Sequence, residues 1–202
     1  MAVSPHIRDK QYDRDVLVFA NPKKLRDESA EFIKDPSQQR PKAFWEILGK
    51  RTNESVHLLD GETISVIMRA LSIKTECEDI LSGVCRVVSD DIKNRPNLVS
   101  RFSRFEDSVH IAETVIARLG FLDKSALDRL VNYWADTTCE ISTKDEIVRL
   151  VRILSDSKPE ETEIANLLYR KLLHRWAILS GGSPQRSTDV SLGMLLDTVN
   201  YS

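Results

Sequence analysis

Four stretches of this chain place apolar side chains at i, i+3, i+4 and i+7, a spacing that restricts it to packed amphipathic helices. They are Ile64, Ile67, Met68 and Leu71; Ala112, Val115, Ile116 and Leu119; Ile147, Leu150, Val151 and Leu154; and Leu192, Leu195, Leu196 and Val199. They begin 48 residues apart (64 to 112), then 35 (112 to 147), then 45 (147 to 192). A unit that recurs at such a length is expected of stacked helical hairpins. The expected fold is therefore all-α, a right-handed α-solenoid of about three to four helical hairpins. An irregular N-terminal arm at 1–41 precedes a helical-repeat domain at 42–202.

A second helix per unit shows its own stripe: Phe44, Ile47 and Leu48; Ile80, Val84 and Val87; Leu127, Leu130, Val131 and Trp134; Ile164, Leu167, Leu168 and Leu172. All three tryptophans, Trp45, Trp134 and Trp176, fall in these second helices. Helix starts are marked by Thr75-x-x-Glu78, Thr143-x-x-Glu146 and Ser157-x-x-Glu160, the capping-box pattern, and by Asp60 and Asp123 as N-caps. These signals predict a lone helix at 42–57, pairs at 61–73/76–93, 107–120/124–138 and 144–155/159–179, and a closing helix at 189–199. Within the arm a short helix is expected at about 23–34, and the apolar run Val16–Ala20 is expected to dock as an extended arm or helical turn.

Composition removes several classes. With 41% hydrophobic and 30% charged residues the chain can bury a core, and no apolar run approaches the roughly 18 residues of a membrane helix. The net charge of −2 gives no global attraction to nucleic acid, so any such contact must come from local patches. Three cysteines, an odd number without a CxxC pair, point to reduced thiols inside a cell. Asp9, Asp13 and Asp15 interrupt the N-terminal segment, which matches neither a signal peptide nor an acid-poor transit peptide. The four histidines show no metal-ligand spacing, and the chain has neither a GxGxxG nor a phosphate-binding loop. Hence no enzyme activity, cofactor or metal is expected.

The strongest constellations are basic. Lys93, Arg95, Arg101 and Arg104 occur without an intervening acid and are interleaved with Phe102 and Phe105. Cations neutralise phosphates and aromatic rings stack on unpaired bases, so this segment is a candidate RNA-binding element. The competing view is an ordinary loop pinned to the core by its phenylalanines. A second patch comprises Arg170, Lys171, His174 and Arg175 with Arg186 beyond, and no acid lies between Glu163 and Asp189. It could track a nucleic-acid backbone, complement an acidic partner or face the negative end of its own helix.

The stretch FWEILGKRTNESVHLLDGETISVIMRALSI (Phe44–Ile73) resembles the heptatricopeptide and octotricopeptide repeats of organellar RNA-metabolism proteins. The resemblance extends over roughly 42–179 through the corners Arg69-Ala70-Leu71-Ser72, Ala117-Arg118-Leu119-Gly120 and Arg152-Ile153-Leu154-Ser155. It implies RNA processing, RNA stability or a place in an organellar ribosome; the expected role is a non-enzymatic structural subunit of a large organellar ribonucleoprotein, above all the mitochondrial ribosome, with a mitochondrial location. Protein subunits would be the neighbours and RNA would be touched through the two basic segments. The array is short and uneven, and the net charge is negative. An adaptor of TPR or HEAT type without RNA contact is the alternative, and an enzyme or accessory subunit of a respiratory complex is a third.

Overall fold

The structure, a computed structural model, describes residues 20–95, 97–98, 100–160, 162–182 and 191–200. Among these residues every regular element is helical. The helices are α1 (Pro22–Lys34), α2 (Lys42–Ser55), α3 (Gly61–Ile73), α4 (Glu78–Asn94), α5 (Phe105–Leu119), α6 (Lys124–Thr137), α7 (Lys144–Ser157), α8 (Glu163–Leu179) and α9 (Leu192–Asn200). Short 3-10 turns at Val56–Leu58, Thr75–Cys77 and Thr138–Glu140 bridge consecutive helices. The stretch expected to start α5 at 107 is helical from Phe105, and most of Val16–Ala20 lies outside the described residues.

Side-chain caps mark several helix starts, although α2 and α5 begin without one and Thr75, expected to cap α4, lies instead within the 3-10 turn ahead of it. Asn21 accepts from Lys24 N–H ahead of Pro22, a residue suited to the first helical position. Asp60 accepts from Thr63 N–H at 2.7 Å, and Asp123 accepts from Ser125 and Ala126 N–H. Thr143 and Glu146 form the reciprocal capping box that opens α7. The box expected at Ser157 and Glu160 is not the start of α8. Ser157 is the last residue of α7, Lys158 turns left-handed at φ 45° and Pro159 follows. Proline cannot continue a helix, so α8 begins later, capped by Thr162, whose hydroxyl accepts from Ala165 N–H. Gly120, at φ +78°, ends α5 in the same way.

By packing the chain divides into two compact units, Met1–Asp91 and Ile92–Ser202. In the first, α1 packs on α3, and α2 approaches α4 so closely that a methyl at Gly49 would collide with Ile80 Cγ2. The domain boundary expected at 41/42 falls between α1 and α2, both members of this unit. Leu25, Ser29 and Phe32 form the buried face of α1, and Phe32 meets Trp45 edge-on with ring centroids 4.6 Å apart. In the second unit α5 packs on α7, α6 on α8 and α7 on α9. In each case helix n meets helix n+2, which hides a stripe that no single hairpin can bury.

The apolar combs account for much of this core. Ile64, Ile67, Met68 and Leu71 are buried, as are Ile147, Leu150, Val151 and Leu154. In α5 burial holds for Ala112 and Val115 but is partial at Ile116 and Leu119, near the corner at Gly120. The fourth comb buries only Leu195. On α8, Leu168 and Leu172 are buried, whereas Ile164 and Leu167 of the same expected stripe are exposed.

Candidate binding surface

The segment 93–105 spends much of its basic character inside the second unit. Lys93 Nζ donates to Asp123 Oδ2 at 3.2 Å, and that hydrogen bond holds the Asp123 carboxyl below its usual range. Arg104 makes a two-pronged contact, Nε and Nη2 donating to the two carboxylate oxygens of buried Asp107 at 3.0 and 3.1 Å. Arg101 is 2% exposed, and Arg95 is half-buried while its carbonyl accepts from Arg129 Nη1. Phe102 is 4% exposed and lies 5.3 Å from the Tyr133 ring, and Phe105 is buried as well. The phenylalanines thus pin the segment to the core, and Phe102 offers no open ring face on which a base could stack. Burial beside these groups pushes the Tyr133 phenol up to about 12, so it stays neutral over the working pH range.

Helix α8 treats its cations differently. Lys171 Nζ donates to Ala135 O at 2.5 Å and Arg175 Nε to Ile141 O at 2.7 Å, while Arg170 Nε donates within its own helix to Asn166 O at 3.4 Å. The first two reach back to the C-terminal end of α6 and the turn beyond it, where the helix dipole is negative. Of the three uses the sequence left open, the end of their own helix is not the one these two make: their acceptors lie at the end of α6, two helices earlier, and in the turn after it. Arg129 of α6 makes the equivalent contact one step earlier, to the carbonyl just past α4. Carbonyl acceptors carry no net charge, and Arg170, Lys171 and Arg175 have no carboxylate within ion-pair distance among the described residues. The α8 face therefore keeps its positive charge in fixed positions. Arg186 lies outside the described residues.

A set of charged partners that sequence reading missed follows this n to n+2 spacing: two pairs join helices directly, and the third joins the start of α6 to the connection ahead of α8. Arg26 meets Glu62, Arg149 meets Glu113 and Lys124 meets Glu160, each pair separated by 36 residues. The Arg149 contact is bidentate, Nε donating at 2.9 Å and Nη2 at 2.6 Å, and these hydrogen bonds push the guanidinium above its usual value. Lys171 and its acceptor Ala135 share the 36-residue separation. The signal that could have found them is the spacing of 35 between the combs at 112 and 147, applied to charged positions as well as apolar ones. Among the described residues no three His, Cys, Asp or Glu side chains are grouped to hold a metal ion, and no helix is long and apolar enough to cross a membrane. No family model matches the chain, and neither a curated protein nor a solved structure shows significant similarity to it.

Proposed function

We propose that this chain is a non-enzymatic scaffold, a helical-hairpin repeat protein of the right-handed α-solenoid class that holds protein partners in a multisubunit assembly. The observation that carries this reading is the recurrent packing of helix n on helix n+2, latched by partners 36 residues apart. Stacked hairpins of this kind bury one set of stripes and leave extended outer faces for other macromolecules. Protein is favoured over RNA as the direct partner because Phe102 and Arg101 are buried and Lys93 and Arg104 pair with carboxylates.

One observation favours a second reading, membership of an organellar ribonucleoprotein such as the mitochondrial ribosome. The cations of α8 keep their charge and could neutralise phosphates, as the resemblance to heptatricopeptide and octotricopeptide repeats implies. Sedimentation of native extract, with and without ribonuclease, separates the two. The scaffold reading expects the chain in a fast-sedimenting assembly that survives ribonuclease. Sedimentation as a free monomer contradicts both readings, and collapse of the assembly on ribonuclease treatment favours the second.

A further inference from the structure

We propose that the outward face of α8 docks an amphipathic helix that carries acidic side chains, supplied by a partner protein. The proposal rests on the scaffold reading and names the chemistry of its partner. Three aliphatic side chains lie open on this helix: Ile164 at 41%, Leu167 at 37% and Ile178 at 44% exposure. Their spacing sets them on one stripe with Lys171 and exposed His174, and Arg170 flanks that stripe. From Ile164 to Ile178 the stripe runs about 21 Å, the length of a four-turn helix. The opposite face, with Leu168, Leu172 and Trp176, is already buried, so the exposed aliphatics are not part of the fold's own core.

Charge decides what covers this stripe. From Ile164 to Thr188 the sequence contains no acid, and Arg170, Lys171 and Arg175 lack carboxylate partners among the described residues. Lys171 and Arg175 are held by carbonyls at the end of α6 and in the turn after it, so their positions are set before any partner arrives. An apolar stripe interrupted and flanked by cations complements a helix with an apolar stripe accompanied by carboxylates. An RNA strand fits less well. The aromatic residues of α8, Tyr169 and Trp176, are buried and cannot stack on bases, and aliphatic side chains offer no base readout. An isolated anionic membrane surface would use the same charges, and it is one outcome of the test.

The full-length chain, labelled with nitrogen-15, is titrated with four probes while the backbone amides are followed by NMR. The probes are a synthetic amphipathic helix with leucines at i, i+3, i+4 and i+7 flanked by glutamates, the same peptide with lysines replacing the glutamates, oligouridylate, and phosphatidylserine-containing vesicles. The glutamate peptide is expected to shift amides within 163–178, to weaken as salt is added, and to outbind the lysine peptide. Arg170→Glu, a residue that hydrogen-bonds only within its own helix, should weaken the glutamate peptide about tenfold, and Leu167→Asp should abolish binding. Equal or stronger binding of oligouridylate or vesicles, shifts confined to other helices, or no binding by the glutamate peptide would overturn the proposal. If any of these occurs while native extract still shows a ribonuclease-resistant assembly, the docking face is wrong and the scaffold reading stands.

Discussion

The two units reach the same packing pattern by different chemistry. In the first, the seam between helices is largely apolar: Phe32 and Phe44 both meet Trp45 edge-on, Gly49 admits Ile80, and among the described residues the 36-residue latch is Arg26 with Glu62. In the second, the equivalent seams carry a bidentate Arg149–Glu113 pair, Lys124 with Glu160, and two cations capping the carbonyls that end α6 and its following turn. The tryptophans repeat the contrast. Trp134 Nε1 donates to Ser108 Oγ at 2.9 Å, whereas Trp45 Nε1 is buried with no hydrogen-bond partner among the described residues. Packing of helix n on helix n+2 is thus compatible with either aromatic packing or polar latching. The first is governed by volume and the second by charge and geometry.

The sharpest way to break the contrast is to remove volume from the apolar seam. Trp45→Ala should cost about 3–5 kcal/mol, read by chemical denaturation, with loss of amide-exchange protection in α1–α3. A cost below about 1 kcal/mol would mean that the aromatic cluster does not organise this unit. Next comes a paired comparison. Trp134→Phe and Trp45→Phe both shave the indole, but only the first forfeits a hydrogen bond, so it should be the more destabilising by about 1 kcal/mol. Equal losses would erase the distinction between the two seams.

Smaller effects address the polar latches. Arg149→Ala should cost about 0.5–1 kcal/mol, since both partners are about a third exposed and solvent screens the pair. The cost should shrink as salt rises, and salt-independent destabilisation would assign Arg149 a packing role through its stem instead. The smallest change is in acid. Burial raises the pKa of Glu146, but hydrogen bonds from the backbone and hydroxyls of Ser142 and Thr143 outweigh it and hold the carboxyl below its usual value. A carboxyl depressed in the folded state stabilises the protein above its unfolded pKa, and that contribution is lost as pH falls through the folded pKa. The first turn of α7 should therefore lose exchange protection on acidification below the ordinary glutamate range. Glu146→Gln should blunt that pH dependence, and an unchanged acid transition in the variant would contradict the assignment.

Helix positions were legible because they depend on local chemistry. Asp60, Asp123 and Thr143 cap the helices that their neighbours in sequence announce, and the Ile64 and Ile147 combs lie in the core. Misreadings arose where a local pattern has two uses. Ser157 and Glu160 have capping-box spacing, but the left-handed Lys158 and Pro159 make that stretch a helix end. Ile164 and Leu167 share periodicity with Leu168 and Leu172, and nothing in the spacing says which edge of a wide stripe faces the core. The candidate site was the least legible part. Lys171 and Arg175 bond to main-chain carbonyls, acceptors that every residue possesses and no sequence pattern marks. Phe102 shows the converse, since an aromatic between arginines reads as a stacking platform until the position of Tyr133 is known.

Zero-length carbodiimide coupling of the native chain, followed by peptide mass spectrometry, tests the stacking of helix n on helix n+2 most directly. Lys124 and Glu160 are both exposed and their charged ends touch, so they should join in high yield, with the local pair Lys42 and Glu46, at 3.5 Å, as the internal control for reactivity. A product joining Lys124 to Glu160 across 36 residues is the result the account predicts. Coupling of Lys42 to Glu46 with no Lys124–Glu160 product, or Lys124 joined chiefly to an acid in another register, would contradict it.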